Sequence, residues 1–141
     1  MLRIYNTMTR KKEVFQPRGP PVVKFFSCGP SIYQRPHLGN YRTFLYEDVL
    51  ERYLEYLGYR VERVLPFTDI EDKAIAQARR EGVSLARLTD RVAREFHQEA
   101  GLLRLNPPTW NPRSSTTVEE AVEVIGRLLR KKVAYRFGPD I

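Results

Sequence analysis

The chain has 141 residues, of which 42% are hydrophobic and 11% are aromatic, and this composition excludes a disordered or fibrous protein. Its 24 basic and 17 acidic residues give a net charge of +7, which suits anionic partners such as nucleotides or RNA, with plain solubility as an equal alternative. No apolar run approaches the roughly 20 residues of a membrane span. The opening residues also lack the apolar stretch of a signal peptide, so we expect a cytoplasmic protein with no membrane partner.

The first third of the chain predicts two strands joined by a basic, proline-rich connection. Residues 3–6 form a short strand, and residues 7–21 form an irregular or hairpin-like segment. The β-branched and aromatic run at residues 22–27 predicts a buried strand, which ends at a Cys-Gly-Pro breaker at 28–30. Basic side chains in this stretch face a single acid, Glu13: they are Arg3, Arg10, Lys11, Lys12, Arg18 and Lys24.

A long helix is predicted from Gly39 to Leu57, and residues 60–67 then predict a second strand. Gly58 stands where a glycine commonly ends a helix. Strand, helix and strand form one βαβ unit, whose two strands are expected to lie parallel. Apolar residues at three- and four-residue spacing predict the buried face of the helix: Phe44, Leu45, Val49, Leu50, Tyr53, Leu54 and Leu57.

Further helices are predicted near residues 68–81, 84–103 and 116–132. Their candidate N-caps are Thr68 or Asp69, Ser84, and Thr116 or Thr117. The fold class is therefore α/β, one βαβ unit plus additional helices. Because parallel sheets are buried on both faces and usually larger, we expect an incomplete fold that a further part of the protein, or a second chain, completes.

The strongest candidate site is the segment from Cys28 to Asn40, between the end of a strand and the start of a helix. Ligands of open α/β sheets bind at the carboxyl ends of strands, and a helix N-terminus presents free amides to phosphate. A glycine at this place lets a ligand approach the backbone, and His37 can donate a hydrogen bond to a phosphate oxygen. The alternative is a plain loop with a capping histidine.

Other polar residues are interpreted as structural. A lone cysteine such as Cys28 is most often a small buried hydrophobe, with nucleophile or metal ligand as its functional alternatives. One cysteine and two histidines cannot by themselves close a structural zinc site, which takes four ligands. Asp69 and Asp72 are predicted to be carboxylates at the start of a helix, and Lys73 a surface or pairing residue. His97 is predicted to be a structural histidine, and Trp110 a packing anchor, with stacking on a base as its alternative.

Several linked motifs resemble the cysteinyl-tRNA synthetase family over essentially the whole chain. Cys-Gly-Pro at 28–30 and His-x-Gly at 37–39 stand before a tyrosine-rich helix, and residues 67–75 are similar to the family's Phe-Thr-Asp-x-Asp-Asp-Lys block. The opening segment and residues 111–116 correspond in the same order. The resemblance implies a Rossmann-like class I synthetase catalytic half over residues 1–141. It implies that the family's connective insertion starts at about residue 105, and that this chain has no anticodon-binding domain.

The resemblance also implies an activity and a set of site residues. The family uses ATP, with Mg²⁺, to convert cysteine to cysteinyl-adenylate, and transfers it to tRNA. Its His-Ile-Gly-His signature falls on residues 37–40, which implies that His37 and Asn40 are catalytic. The implied ATP-binding residues are Gly29, Pro30, His37, Gly39 and Asn40, and the implied cysteine-binding residues are Cys28, Gly29, Tyr33 and Thr68.

The family holds a Zn²⁺ ion that binds the substrate thiolate, and Cys28 matches its first ligand. The other ligands and the family's phosphate-clamping loop fall downstream of this chain, so we expect the zinc site to be incomplete here and the chain alone to be inactive. Asn40 replaces the second signature histidine, and residues 113–118 lack another family histidine, which leaves open a divergent paralogue. Two alternatives remain: a cysteine ligase that passes its adenylate to a small amine, and a truncated, non-catalytic nucleotide- or RNA-binding module.

Overall fold

The computed structural model of the chain describes residues 1–138; residues 139–141, the last three of the segment predicted to begin the connective insertion, lie outside the described part. The described part is a mixed α/β fold, as predicted. Its strands and helices are β1 (Arg3–Asn6), β2 (Lys11–Val14), β3 (Val22–Phe26), α1 (Leu38–Tyr56), β4 (Arg60–Val64), α2 (Asp72–Glu81), α3 (Leu85–Leu102) and α4 (Val118–Arg130). No helix within residues 1–138 is long and apolar enough to cross a membrane.

The first two strands form an antiparallel hairpin, with Arg3 opposite Val14. The predicted first strand and the hairpin-like connection after it are confirmed. Glu13 stabilises the hairpin because its carboxylate accepts hydrogen bonds from Thr9 Oγ1 at 2.6 Å and from Asn6 Nδ2 at 2.9 Å. Glu13, the acidic residue of this basic stretch, therefore forms its hydrogen bonds within the hairpin.

Strands β3 and β4 lie parallel, with Phe26 opposite Val64, so the predicted βαβ unit is confirmed. The sequence predicted that this strand ends at Phe67, but β4 ends at Val64. Pro66 explains the difference, because a proline has no N–H to donate to a neighbouring strand. The chain nevertheless stays extended beyond β4 and pairs on its other side.

Residues 109–113 supply that pairing as a third parallel segment. Leu65 N–H donates to the carbonyl of Trp110 at 3.0 Å, and Phe67 N–H donates to the carbonyl of Pro112 at 2.7 Å. Trp110, predicted as a packing anchor, has a side chain that is 52% exposed and takes part through its backbone. The proline-rich sequence around this segment is not typical of a strand, so the sequence did not predict the pairing.

The buried face of α1 differs in part from the prediction. Phe44 and Leu54 are buried as expected, and Tyr41, one turn before Phe44, joins them. The acidic residues Asp48 and Glu51 complete this face. The predicted face was wrong at four apolar residues, which are exposed: Leu45, Val49, Tyr53 and Leu57.

Both buried carboxylates of α1 have partners that compensate their charge. Asp48 accepts from Arg52 Nε and from the backbone N–H of Asn106, each at 2.7 Å. Glu51 Oε2 lies 2.7 Å from Arg63 Nε, and the two residues are 4% and 2% exposed. A buried charge is tolerated only when it is paired, and a hydrophobic pattern cannot reveal that partner.

Helix α2 begins at Asp72, and the predicted start at Thr68 or Asp69 was wrong. Thr68 continues the extended chain, and its N–H donates to the carbonyl of Pro30 at 3.2 Å. Asp69 is 3% exposed, and its carboxylate accepts from the N–H and the hydroxyl of Ser115. Both residues are therefore engaged elsewhere, whereas Asp72 does lie in the first turn of the helix.

The other predicted helix boundaries agree with the structure to within two residues. Ser84 Oγ accepts from the N–H of Arg87 at 3.2 Å and caps α3. Thr117 is the N-cap of α4, which begins at Val118. Gly58 follows α1 with a φ of +87°, a left-handed conformation that glycine adopts without strain.

The core lies between α1, α3 and the end of the sheet, directly behind the loop that follows β3. Phe96 is at its centre, with its ring centroid 5.3 Å from those of Phe44 and Phe67. His97 is exposed, and its ring packs 5.4 Å from that of Phe67. The buried members are Ile32, Tyr41, Phe44, Leu65, Phe67, Ala78, Leu88, Val92, Ala93 and Phe96.

Candidate functional site

A cleft of about 360 Å³ lies where β3 ends and α1 begins. Six of the residues predicted for the site line it: Cys28, Gly29, Pro30, Tyr33, His37 and Asn40. Gly39 and Thr68 are not among its lining residues. Residues that received no individual site role from the sequence complete the lining: Ser31, Gln34, Arg35 and Pro36 of the candidate segment, and Thr43, Phe44 and Lys73 outside it.

Gly29 is required by the packing of the chain on itself. A Cβ at this position would lie 1.5 Å from the carbonyl oxygen of Pro66, in the segment after β4. The close approach that the glycine permits is therefore between two backbones. Thr68 acts on the same loop through its own backbone, because its carbonyl accepts from Ile32 N–H at 3.1 Å.

The start of α1 brings His37 and Asn40 together. His37 is the N-cap, and its backbone N–H donates to Asn40 Oδ1 at 3.0 Å. The imidazole lies 3.0 Å from where a Cβ on Gly39 would be, so the glycine makes room for the ring. Both His37 and Asn40 are exposed in the cleft, beside the free amides of the helix N-terminus.

Cys28 is exposed, so the interpretation as a buried small hydrophobe is wrong. Its Sγ lies 3.8 Å from the carbonyl oxygen of Gly29 and faces the cleft lining. Within residues 1–138 there is no group of three or more histidine, cysteine or acidic side chains placed to hold a metal ion. A four-ligand zinc site therefore does not fit these residues alone, although Cys28 offers one sulfur donor.

The cleft is positively charged. Its lining contains the cationic side chains of Arg35 and Lys73 and includes no aspartate or glutamate. The guanidinium of Arg35 forms an ion pair with Glu99 of α3, which lies outside the lining. A concave surface with charge of one sign concentrates ligands of the opposite sign, so the cleft suits anions.

Glu99 also holds α1, because Tyr41 Oη donates to its Oε2 at 2.5 Å. Burial, reinforced by the neighbouring carboxylate, raises the pKa of Tyr41 far above its ordinary value. The same hydrogen bond is the main cause that holds the pKa of Glu99 below its ordinary value, and Arg35 acts in the same direction. A phenol and a carboxylate thus remain paired at neutral pH, and they fix the loop and the first turns of α1 on α3.

Lys73 was predicted to be a surface or pairing residue; it is exposed, and it also lines the cleft. It lies in the first turn of α2, and its ammonium is 5.8 Å from the ring centroid of Tyr33. Residues 67–75 correspond to a family motif, but the sequence does not show that this motif lies beside the loop; the bridge between Ser31 and Thr68 brings the two together. The other lining residues of the loop could be predicted from the sequence, because they lie within the candidate segment from Cys28 to Asn40.

A parallel βαβ unit with a third parallel segment, and a cleft at the carboxyl ends of its strands, define a Rossmann-like α/β ligand-binding fold. Residues 14–141 match the family model described as tRNA synthetases class I (C) catalytic domain. The chain belongs to this family, which confirms the resemblance that the motifs predicted.

Curated relatives of the chain carry the name cysteine–tRNA ligase. Those of Levilactobacillus brevis and Methanosarcina mazei are each 40% identical over 141 residues, which is 100% of this chain and 30% of the relative. That of Methanosarcina acetivorans is 42% identical over 135 residues, which is 96% of this chain and 28% of the relative. The chain therefore spans less than a third of the length of these relatives.

Proposed function

We propose that the chain is the N-terminal part of the catalytic domain of a cysteine-specific aminoacyl-tRNA synthetase, which activates cysteine with ATP and transfers it to tRNA. The observation that carries this proposal is the cleft, where Cys28, His37 and Asn40 surround one positively charged space at a helix N-terminus. Family membership and the names of the relatives support the same activity. The segment after about residue 105 begins the connective insertion of this domain.

In the activation step, a carboxylate oxygen of cysteine bonds to the α-phosphorus of ATP. The bond between the α-phosphorus and the bridging oxygen breaks, and its electron pair leaves with pyrophosphate. Negative charge grows on the phosphate oxygens during this step, and donors already in place stabilise it. We assign this role to the His37 imidazole and the amides at the start of α1, with Mg²⁺ arriving as part of the nucleotide substrate.

Asn40 supports this arrangement because its Oδ1 accepts a hydrogen bond from the backbone N–H of His37. The carboxamide keeps the first turn of α1 closed, and the imidazole lines the cleft at this end of the helix. An asparagine at this position can also donate to a nucleotide. We therefore propose that Asn40 replaces a histidine without loss of ATP binding. Gly29, Pro30 and Gly39 would make further contacts to ATP.

For the amino acid, we propose that Cys28 and Tyr33 face the substrate while Gly29 and Thr68 hold the loop in place. The Cys28 thiol is exposed and accessible to a soft metal ion or to the substrate. It supplies one of the ligands of a zinc ion whose remaining ligands come from outside the described residues. When bound, zinc supplies a preference for a thiolate over a hydroxyl.

The proposal is tested by cysteine-dependent exchange between ATP and labelled pyrophosphate, measured on the protein at its natural length with cysteine, serine and alanine. We expect exchange with cysteine alone and charging of tRNA. The variant His37→Ala should lower the exchange rate about 10²-fold or more. The matched control is His97→Ala, a histidine of α3 outside the cleft, which should leave the rate within about twofold of the unchanged protein.

Other outcomes separate the alternatives. Exchange without tRNA charging, together with transfer of cysteine to a small amine, would support the small-amine ligase. Binding of ATP or tRNA without any exchange would support the non-catalytic module. Equal exchange with cysteine and serine would contradict the substrate assignment.

A further inference from the structure

We propose that Lys73 is a substrate-binding residue, whose ammonium binds an anionic oxygen of the ligand in the cleft. The anionic oxygen belongs either to the phosphates of ATP or to the carboxylate of the amino acid, and the experiment below distinguishes the two. This inference rests on the proposed function for the identity of the ligands. The contacts of Lys73 itself are independent of that function.

The charged side chains that line the cleft are the first observation that supports this inference. Among its lining residues, Arg35 and Lys73 are cationic and no carboxylate is present. Arg35 already has a partner within the protein, because its guanidinium pairs with Glu99 and holds the loop on α3, although 72% of its side chain is exposed. Its charge is therefore shared with a carboxylate before any ligand binds.

Lys73 is the cation that remains. Among residues 1–138, no carboxylate lies within 4.0 Å of its ammonium, the limit for an ion pair. Its neighbour is the face of the Tyr33 ring, with 5.8 Å between the ammonium and the ring centroid. An aromatic face attracts a cation without neutralising it, so the ring holds the ammonium at the cleft and leaves its charge free.

The backbone of Lys73 is firmly placed. The next residue, Ala74, is 0% exposed and anchors the first turn of α2. The preceding extended chain is tied to the cleft loop by Thr68, which donates to Pro30 and accepts from Ile32. The side chain thus starts from a fixed point, and its ammonium lies near the Tyr33 ring in the lining of the cleft.

The test compares Lys73→Gln with the unchanged protein at its natural length in the exchange reaction. We expect the KM of one substrate to rise about tenfold, the loss typical of one charged hydrogen bond. A raised KM for ATP assigns the phosphates, and a raised KM for cysteine assigns the carboxylate. The variant Lys73→Arg keeps the charge and should restore that KM to within about threefold.

The control is Arg80→Gln, which removes one positive charge from an exposed position on the same helix, outside the cleft lining. It should leave both KM values unchanged. If Lys73→Gln also leaves both unchanged, the inference is wrong. A fall in kcat alone, with neither KM altered, would likewise overturn a binding role.

Equilibrium binding separates this inference from the proposed function. Inorganic tripolyphosphate and cysteine are titrated calorimetrically into the unchanged protein, Lys73→Gln and Arg80→Gln. Weaker binding of either probe by Lys73→Gln alone supports the assignment, even if no exchange activity is found. Equal binding by all three proteins, or no binding of either probe by any of them, would refute it.

Discussion

The backbone of Gly29 lies against the carbonyl oxygen of Pro66 so closely that a Cβ on the glycine would be 1.5 Å from it. The contact joins the loop after β3 to the chain after β4, which are also paired between Ser31 and Thr68. Because the contact is between backbones, no change of side-chain rotamer can relieve it. The position of the cleft loop is therefore determined by the continuation of the sheet.

The variant Gly29→Ala should lower the free energy of unfolding by about 3 kcal/mol, at the upper end of the cost of overpacking. Urea unfolding measures the change. The matched control is Gly101→Ala in α3, where a Cβ meets nothing within 4 Å. That control should be neutral or stabilising by up to about 1 kcal/mol. Unchanged stability of Gly29→Ala would mean that the two backbones are not in this contact.

The ion pair between Glu51 and Arg63 is buried, so breaking it should be costly. We expect Glu51→Ala to lower the free energy of unfolding by about 3–5 kcal/mol, because the buried Arg63 guanidinium would lose the carboxylate of its ion pair. Thermal or urea unfolding gives the change. The double variant Glu51→Leu/Arg63→Met should recover most of it, because both charges of the pair are removed together.

The control for this pair is an exposed ion pair on α4, between Glu123 and Arg127, whose nitrogen and oxygen are 3.8 Å apart. Glu123→Ala should change stability by less than about 0.5 kcal/mol. Similar losses for Glu51→Ala and Glu123→Ala would contradict the burial of the first pair.

Asp69 should be important for attaching residues 109–117 to the sheet. Its carboxylate accepts from Ser115 N–H at 2.8 Å and from Ser115 Oγ at 2.5 Å. We expect Asp69→Ala to cost about 2–3 kcal/mol, because two hydrogen bonds from Ser115 to a charged acceptor would be lost. Asp69→Asn should cost less, since the serine hydroxyl can rotate to accept from the amide.

The comparison for Asp69 is Asp72→Ala in the exposed first turn of α2, which should cost at most about 0.5–1 kcal/mol. Hydrogen exchange at the amide of Ser115 provides a local readout. It should quicken in Asp69→Ala and stay slow in Asp72→Ala. Equal protection in both variants would argue that Asp69 does not hold this segment.

Glu99 should make stability depend on pH with a definite sign. Its pKa in the folded protein is held below the ordinary value of 4.5, chiefly by the hydrogen bond from Tyr41. Its ionised form therefore stabilises the fold above about pH 4.5, and that contribution is lost as the pH falls through the lower folded pKa. The stability difference between the unchanged protein and Glu99→Gln, measured by urea unfolding from pH 7 to pH 3, should shrink on acidification.

Glu47 provides a control of opposite sign. Burial raises its pKa above 4.5, so the stability it contributes is present at low pH and is lost as the pH rises through the folded pKa. Relative to Glu47→Gln, the unchanged protein should lose stability between about pH 4 and pH 7. The same trend with pH for Glu99→Gln and Glu47→Gln would be inconsistent with these two environments.

Much of the local structure follows from the sequence. The β-branched run of β3, the glycine after α1 and the serine before α3 each predict an element or a boundary that the structure contains. The linked motifs identify the family, and the order of strand, loop and helix places the cleft. These features depend on neighbouring residues, so local propensity and spacing are sufficient to predict them.

Only the tertiary structure decided which polar residues are buried or brought into the cleft. Glu51 is buried because Arg63 of the next strand pairs with it, and Lys73 lines the cleft because the chain after β4 pairs with the loop after β3. In each case the partner comes from another element of the chain. Hydrophobic periodicity reports the average environment of a helix face, and it contains no information about a charge whose burial depends on a distant residue.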